Sequence, residues 1–369
     1  MPGETTATMT PLGERIAARI ARLGPITVAD YMAEVLTHPE HGYYMRGEPF
    51  GVRGDFVTAP EISQIFGELA GLWSAETWRR MGAPARVLLV ELGPGRGTLM
   101  ADALRAARVV PAFLEALELH LVEVSPALRE RQRAALSGRA GATWHDTLAD
   151  VPDGPIILLA NEFFDALPVR QFEKRPQGWC ERVVTLAPDN RSLAFALAPP
   201  GPHGPVLLPP ELQDAPVGAI AEASPGAITL ASEIGRRVAA KGGAALIIDY
   251  GHARPRTGAT LQAVRGHGFH GVLQDPGKAD LTAHVDFSAL ARAAGQAGAR
   301  AHGPVPQGEF LRALGIETRT AMLRERAGPA QVADIAAAMR RLTDPQDMGE
   351  LFKAFALGHP DLGSPAGFE

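Results

Sequence analysis

Three glycines that follow a short apolar run restrict the fold of this chain more than any other feature. The run Val-Leu-Leu-Val at residues 87–90 ends in Glu91, and a helical pattern begins after Gly93, Gly95 and Gly97. Glycine has no Cβ atom and tolerates positive φ, so such a turn brings backbone close to a ligand. The helix that follows offers free N–H groups and the positive end of its dipole. The order of strand, glycine turn and helix therefore predicts an α/β fold with a ligand at the turn.

The spacing of these glycines indicates the kind of ligand. It reads G-x-G-x-G after an acid, whereas the dinucleotide fingerprint reads G-x-G-x-x-G and must seat a pyrophosphate. The tighter turn, with Glu91 just before it, suits a ligand with a cationic amino-acid end, such as S-adenosylmethionine. An ordinary glycine-rich turn in another α/β protein is the alternative, and the spacing disfavours a nicotinamide dehydrogenase.

Two further acids stand where a nucleoside would need them. Residues 120–124 read as a second strand in which Glu123 stands near the end, and Asp146 follows a third strand at 142–144. In a doubly wound sheet an acid at the end of the second strand reaches the ribose hydroxyls, which a carboxylate can accept together. We expect Asp146 to accept from the adenine amino group. A surface glutamate at a strand end is the alternative for Glu123.

A fourth strand leads into a polar segment. The apolar run at 156–160 is followed by Asn161, Glu162 and Asp165. Ligands of open α/β sheets bind beyond the carboxyl ends of the strands, so a reacting group would stand beside this segment. Two acids there suit a cationic acceptor such as a guanidinium, because carboxylates hold its fork and draw positive charge away from the attacking nitrogen. The alternative is a helix N-terminus with acids near its dipole.

Composition and charge exclude several classes of protein. The chain has 369 residues, 46% of them hydrophobic, and a formal net charge of −5, which argues against a nucleic-acid partner. Its one cysteine, Cys180, fits a reducing compartment. No apolar run is long enough for a membrane span, the first ten residues do not form a signal peptide, and no spacing suggests a metal site. The residue usage is typical of a bacterium, so we expect a cytoplasmic bacterial protein.

The periodicity along the chain predicts a core interrupted by an insertion. We expect an N-terminal helical and lid region at 1–85, a core at 86–168 and 240–319, an inserted β-rich subdomain with a return helix at 169–239, and a C-terminal helical region at 320–369. Within these regions the pattern predicts a helix over 61–80 and helix over 320–357. It predicts strands at 169–172, 180–186, 193–197, 244–248 and 259–261.

Several blocks together make the chain similar to a known family. It resembles the MidA-like family, which includes a mitochondrial complex I assembly factor that methylates arginine in the 49-kDa subunit. The blocks are GDFVTAPEIS at 54–63, ELGPGRG at 91–97, NEFFDALP at 161–168, IDYG at 248–251 and ADLTAHVDF at 279–287.

The resemblance implies a class I methyltransferase with a seven-stranded, Rossmann-like sheet and S-adenosylmethionine as its cofactor. It implies a protein arginine ω-N-methyltransferase, with symmetric dimethylarginine as one product. The substrate would be a complex I subunit of the 49-kDa type or its bacterial counterpart, and a homodimer is compatible with the sequence. Two rivals stay open: another methyl acceptor, or a non-catalytic assembly chaperone, which the intact glycines and acids disfavour.

We expect the block at 54–63 to form a lid. Thr58 and Glu61 would be its polar contacts and Pro60 would stiffen it, with Thr58 also a candidate cofactor contact. The alternative is a helix entry in which Thr58 caps and Glu61 completes a capping box. His284 follows Leu281 and Thr282 and is either a substrate contact or a structural histidine.

Overall fold

A computed structural model describes residues 9–45, 58–138 and 141–369. The chain divides into two compact units, between which it passes several times. The first unit comprises Met1–Phe56, Ala166–Gly226 and Pro255–His284. The second unit comprises Val57–Asp165, Ala227–Arg254 and Val285–Glu369.

The strands are short in the first unit and longer in the second. They are β1 (Ile26–Thr27), β2 (Val87–Leu92), β3 (Leu117–Val122), β4 (Ala142–His145), β5 (Ile156–Asn161), β6 (Arg170–Arg175), β7 (Gly178–Leu186), β8 (Leu193–Leu197), β9 (Ile220–Ala223), β10 (Gly243–His252), β11 (Gln262–Arg265), β12 (Gly268–His270), β13 (Asp280–Thr282), β14 (Val285–Asp286), β15 (Arg300–Pro306) and β16 (Phe352–Gly358).

The α-helices range from one turn to nearly five turns. They are α1 (Pro11–Leu23), α2 (Val28–Thr37), α3 (Ala59–Ile62), α4 (Gln64–Arg80), α5 (Thr98–Ala106), α6 (Pro111–Ala116), α7 (Pro126–Ala135), α8 (His203–Leu207), α9 (Pro225–Lys241), α10 (Phe287–Gln296), α11 (Gln307–Ala313), α12 (Ile316–Arg324), α13 (Pro329–Thr343) and α14 (Met348–Leu351). Of the helices in the described ranges, none combines the length and the apolar character needed to cross a membrane.

The second unit is built on one mixed sheet. Its strands run in the order β15-β16-β10-β5-β2-β3-β4, and the short strand β14 pairs with the end of β10. The pairs β10–β5, β5–β2, β2–β3 and β3–β4 are parallel, whereas β16 runs antiparallel to β10 and β15. Seven strands in this order confirm the predicted class I, Rossmann-like α/β fold.

Burial explains why the central strands read as continuous apolar runs. Every residue of β2 is buried, as are the first eight residues of β10. Helices cover a parallel sheet on both faces, so its strands carry no polar face. The sequence therefore predicted β2, β5 and β10 within one to four residues of their observed ends.

The prediction of a wholly helical C-terminal region is wrong over residues 352–357. These residues form β16, which inserts between β10 and β15 at the edge of the sheet. Its apolar segment, Ala354 to Leu357, is fully buried. A short apolar run that is rich in alanine does not distinguish a buried strand from a buried helix, because both lack a polar face.

The predicted lid and core boundaries also need correction. Residues 58–85, expected in the N-terminal region, lie in the second unit, because α4 packs on α5. Gly67 and Gly71 permit this contact, since a Cβ atom on Gly71 would stand 2.3 Å from the carbonyl oxygen of Ala103. Residues 255–284, expected in the core, lie in the first unit, and 227–239, expected in the insertion, lie in the second.

Two element boundaries differ locally from the prediction. The helix predicted over 61–80 is broken at Ser63, whose φ of −155° is extended and whose hydroxyl accepts from the N–H of Ile65. The short strand predicted at 259–261 is displaced and begins at Gln262, as β11. The backbone N–H groups of Thr260 and Leu261 instead donate to the carboxylate of Glu222.

The first unit contains two small antiparallel sheets. One has the order β1-β7-β6-β9 with β8 added on β7, and the other has the order β12-β11-β13. The three strands predicted at 169–172, 180–186 and 193–197 are confirmed as β6, β7 and β8. The observed β6 starts one residue later and ends three residues later than predicted, and β7 starts two residues earlier.

Candidate active site

The glycine turn after β2 has the backbone that only glycine adopts readily. Gly93, Gly95 and Gly97 have φ values of 59°, 53° and 82°. Gly93 donates its N–H to the carbonyl of Val122 in the neighbouring strand, which fixes the turn to the sheet. A Cβ atom on Gly93 would stand 2.6 Å from the ring of Phe163. The turn therefore presents bare backbone at the N-terminus of α5, as the sequence predicted.

Glu91 is a buried acid that lacks a full set of partners. Its side chain is 3% exposed, and its Oε2 atom has no hydrogen-bond partner among the described residues. Burial, and secondly the charge of Glu123, raise the pKa of Glu91 to about 8. A buried carboxyl with an orphaned oxygen next to a glycine turn fits a ligand that brings a cationic group. Glu91 thus fits the ammonium group of S-adenosylmethionine.

Glu123 follows β3 and is tied to the glycine turn. It accepts from the N–H of Ser125 at 2.8 Å and from the side-chain amide of Gln132 at 3.2 Å. The same amide donates to the carbonyl of Gly95, while the amide oxygen of Gln132 accepts from Trp144. Burial raises the pKa of Glu123. Gln132 therefore joins three segments of the candidate cofactor site, a role that sequence analysis missed.

Asp146 lies in the exposed loop after β4. Its carboxylate pairs with Arg129 at 2.5 Å, and the Arg129 guanidinium also donates to the carbonyl of Glu123. This arginine brings Asp146 and Glu123 onto one edge of the sheet. The carboxylate of Asp146 already has a protein partner in Arg129, so the binding of adenine by Asp146 stays a prediction.

The segment after β5 carries the candidate acceptor site. Glu162 has a φ of 48°, a left-handed conformation that costs energy for a residue with a side chain. Its Oε1 atom accepts from the N–H of Ala59 at 2.8 Å and from the amide of Asn161 at 3.0 Å. The surrounding protein desolvates this carboxyl and, with the charge of Asp165, raises its pKa to about 7 despite partial exposure of the residue. Arg341 acts in the opposite direction.

Asp165 and Asn161 lie beside Glu162, at and after the end of β5. Asp165 is 6% exposed, and its N–H donates to the carboxylate of Asp249. The carbonyl oxygen of the Asn161 side chain has no hydrogen-bond partner in the described ranges. The structure thus brings the three predicted residues together and adds Asp249. The signal that points to Asp249 is a charged residue inside the buried apolar run of β10.

The described residues of the predicted lid contact both the candidate acceptor site, through the N–H of Ala59, and the glycine turn, through Glu61. Thr58 precedes α3 without capping it through its side chain, so the predicted capping box is wrong, and Pro60 stands in the first turn of α3. Glu61 instead accepts from the Thr98 hydroxyl at the start of α5 and pairs with Arg96 of the glycine turn at 3.4 Å. Residues 54–57 of the predicted lid lie outside the described residues.

His284 belongs to the first unit, whereas the candidate site residues described above belong to the second. Its N–H donates to the hydroxyl of Thr260 at 2.8 Å, and Thr260 in turn bonds to Glu222. A role of His284 in substrate binding stays a prediction. Within the described part of the chain, His, Cys, Asp and Glu form no group of three or more that could hold a metal ion.

Comparisons with known proteins agree with this geometry. A family model of S-adenosyl-L-methionine-dependent methyltransferases matches residues 69–305. A Mus musculus protein named protein arginine methyltransferase NDUFAF7, mitochondrial, is 42% identical over 374 residues, which cover 95% of this chain and 84% of that protein. The Homo sapiens protein of the same name is 40% identical over 375 residues, which cover 95% and 83%.

Solved structures give the same result for the whole chain. A Burkholderia thailandensis protein with bound S-adenosyl-homocysteine superposes with a TM-score of 0.83 at 32% identity, covering 97% of this chain and 92% of that one. A native structure from the same organism has a TM-score of 0.82 at 32% identity, with coverages of 97% and 94%.

The comparisons contradict the predicted location and confirm the predicted cofactor and enzyme class. The predicted cytoplasmic bacterial location is wrong on this comparison, because relatives that cover 95% of the chain are named mitochondrial proteins of animals. The predicted cofactor and enzyme class are confirmed by the family match. The chain belongs to the family of S-adenosylmethionine-dependent methyltransferases.

Proposed function

We propose that this chain methylates the guanidinium of arginine in a protein substrate, and that Glu162 binds that guanidinium. One observation carries the proposal. Both hydrogen bonds to Glu162 end on Oε1, and Oε2 accepts none from the described residues. A carboxylate held on one oxygen, with the other left for a ligand, is suited to accept the N–H groups of a cation. The arginine acceptor also agrees with the names of the relatives.

The chemistry of the acceptor explains why carboxylates suit it. Arginine stays protonated in proteins, and its delocalised charge makes each nitrogen a poor nucleophile. A carboxylate on one edge of the fork draws positive charge toward that edge and leaves the far nitrogen more electron-rich. When bound, S-adenosylmethionine supplies the methyl group as an electrophile. Asn161 and the Ala59 N–H hold Glu162, and Asp165 adds a second negative charge beside it.

We propose a cofactor site along the ends of β2, β3 and β4. Glu91 accepts the ammonium group, the glycine turn lies along the amino-acid end, and Glu123 accepts the ribose hydroxyls. Asp146 takes the adenine amino group, and Thr58 closes the site from the lid. The orphaned oxygen of Glu91 and the left-handed turn support this arrangement.

A second proposal concerns which protein carries the arginine. A respiratory complex I subunit of the 49-kDa type, or its bacterial counterpart, is proposed on the family resemblance. Mass spectrometry of that subunit from cells with and without this gene should show arginine methylation only when the gene is present, and the fragment ions distinguish symmetric dimethylation. A homodimer is proposed as well, and sedimentation of the purified chain measures it.

Glu162→Gln tests the mechanism directly. The variant keeps the shape but removes the charge, so cofactor binding should survive while transfer slows by about 2–4 kcal/mol, or roughly 30- to 900-fold. Single-turnover assays at saturating cofactor should include Asp165→Asn and, as a control, the exposed Glu350→Gln. Wild-type transfer in both site variants would refute the arginine mechanism.

The same assay separates the rival functions. Transfer to a metabolite but to no protein arginine would favour another acceptor. Cofactor binding without transfer to any acceptor would favour a non-catalytic assembly protein.

A further inference from the structure

Asp249 holds the segment that carries Glu162. It lies in β10 beside the end of β5 and is completely buried. Its Oδ2 atom accepts three consecutive backbone N–H groups, at 3.2, 2.9 and 3.1 Å, from Phe163, Phe164 and Asp165. Its Oδ1 atom accepts from its neighbour Tyr250. The N–H of Glu162 completes the set by donating to the carbonyl of Ile248, also in β10.

We infer that Asp249 is a positioning residue for methyl transfer, which sets Glu162 and the glycine turn at a fixed separation. The inference rests on the proposed function of Glu162 and assigns a role to a residue that touches neither ligand in that proposal. Asp249 acts through the backbone of residues 163–165. These residues contact its carboxylate, although they precede it by 84 to 86 positions in the sequence.

The conformation of the segment shows why such an anchor is needed. Glu162 has a left-handed φ of 48°, which a side chain disfavours and which persists only where the surroundings hold it. Four bonded N–H groups in a row, from 162 to 165, supply that constraint. Without them, Glu162 would relax toward an extended backbone and its carboxylate would leave the position from which it meets Ala59 and Asn161.

The same segment also contacts the cofactor turn. The ring of Phe163 lies where a Cβ atom of Gly93 would come within 2.6 Å. Asp249 therefore fixes, through adjacent residues, the carboxylate proposed for the acceptor and the ring that packs on the turn proposed for the donor. Transfer between two bound groups depends steeply on their separation, so a shift of the anchor should slow the reaction more than it weakens either binding step.

The charges around Asp249 are consistent with a fixed, non-reacting role. Burial raises its pKa well above the ordinary value, and Asp165 and Glu162 raise it further, while the N–H groups of Asp165 and Tyr250 oppose this. Because both oxygens face N–H donors, neither is turned toward a ligand.

The test compares Asp249→Asn with a buried carboxyl that has no part in the site. Glu68→Gln is the control, because Glu68 is 3% exposed and is bonded by Arg105 and Arg319 within the same unit. We would measure kcat and KM for an arginine-bearing protein substrate, the Kd for S-adenosylmethionine, and stability in urea. The double variant with Glu162→Gln completes a mutant cycle.

The expected result is specific to positioning. Asp249→Asn should lower kcat by about 10- to 100-fold and change the cofactor Kd by less than about threefold. The loss of kcat in the double variant should be smaller than the product of the two single losses, because Asp249 acts in part through Glu162. Glu68→Gln should lose stability but keep kcat within about twofold. The kcat of Asp249→Ser, which retains one small acceptor, should be lower than the kcat of Asp249→Asn.

Three results would overturn the inference. They are a kcat for Asp249→Asn within about twofold of wild type, a double variant whose losses multiply, or a loss of kcat that merely follows the folded fraction. Should the variants fail to fold, amide hydrogen exchange of the wild type still decides, since fast exchange at residues 163–165 would contradict the anchor. If Glu162→Gln itself transfers at the wild-type rate, the proposed function fails first and the inference with it.

Discussion

Replacing Glu91 by glutamine should make the ligand-free protein more stable while weakening its cofactor binding. Glu91 is 3% exposed, and its Oε2 atom lacks a partner among the described residues. Burial is the main cause, and the charge of Glu123 the second, of a pKa raised from 4.5 to about 8. In the unfolded chain the same carboxyl ionises near its ordinary value. Folding above that pH therefore forces the group to bind a proton.

The sign and size of the effect follow from the two pKa values. For an acid with a raised pKa, the stabilising contribution is complete below pH 4.5 and is lost as the pH rises toward about 8. At pH 7, about 2.5 pH units above 4.5, the loss at 1.36 kcal/mol per unit is about 3 kcal/mol. Glutamine does not titrate. The gain in free energy of unfolding for Glu91→Gln should therefore be small near pH 4.5 and about 3 kcal/mol at pH 7.

Urea unfolding of the ligand-free proteins measures this gain. Wild type, Glu91→Gln and the exposed control Glu350→Gln should be compared at about pH 5, pH 7 and pH 8.5, with the m-values checked for equality. The control should show no pH-dependent difference from wild type. A Glu91→Gln protein that gains no stability between about pH 5 and pH 8 would refute the reasoning, since Glu91 would then be ionised in the native state.

Cofactor binding supplies the second half of the same prediction. An ammonium group beside Glu91 favours the ionised form, so binding should release a proton and tighten as the pH rises toward about 8, the pKa of Glu91 without ligand. Glu91→Gln should lose about 1.5–3 kcal/mol of binding free energy, the range for a hydrogen bond to a charged group. Calorimetry in two buffers of different ionisation enthalpy measures both quantities. Equal proton release in wild type and variant would contradict the assignment.

Three further predictions concern the cofactor turn and the lid. Gly95→Val places a branched side chain at a φ of 53°, so S-adenosylmethionine binding should disappear while the circular dichroism of the fold persists; wild-type affinity in a folded variant would contradict the turn assignment. Glu123→Ala should weaken binding by about 1–3 kcal/mol, and an unchanged Kd by calorimetry would leave this buried residue with a purely structural role. Glu61→Gln weakens its contacts with Arg96 and Thr98, so the dissociation rate of S-adenosylmethionine in stopped flow should rise about two- to tenfold, whereas Glu350→Gln should leave it unchanged.

Much of the core was predictable because its signals are local. A strand buried on both faces reads as an apolar run, and a turn with left-handed φ reads as glycine, so β2, β5 and the turn at 93–97 could be located from their own residues. Glu91, Glu123 and Glu162 were singled out by the same rule, since each stands at or just after the end of such a run. Their proposed roles remain to be measured.

The parts that sequence analysis missed depend on distant contacts. Asp249 acts on backbone atoms 84 to 86 positions away, and Gln132 on the carbonyl of Gly95, 37 positions away. Hydrogen bonds to backbone leave no mark on the identity of the partner residue, because every residue except proline offers the same N–H group. The strand β16 was missed for another reason, namely that its apolar run has no period that distinguishes strand from helix.

Four acids at adjacent strands of the sheet affect the stability of the ligand-free protein. Glu123 and Glu162 directly follow β3 and β5, Glu91 is the last residue but one of β2, and Asp249 lies in β10 beside the end of β5. These four strands are consecutive in the sheet. Burial is the first cause of a raised pKa in each of them. So many desolvated carboxyls in one place destabilise the ligand-free protein as the pH rises.

That cost is offset when cations arrive. The cofactor carries an ammonium and a sulfonium charge, and the proposed acceptor carries a guanidinium, so both ligands favour the ionised acids that burial disfavours. Transfer breaks the S–CH3 bond and forms an N–CH3 bond, and one N–H proton of the guanidinium is released. The sulfonium becomes a neutral thioether while the methylated guanidinium keeps its charge, so the attraction of the acids weakens for the spent cofactor. If the acids bind both ligands as proposed, we expect this edge of the sheet to bind the reactants more tightly than the spent cofactor, which favours turnover.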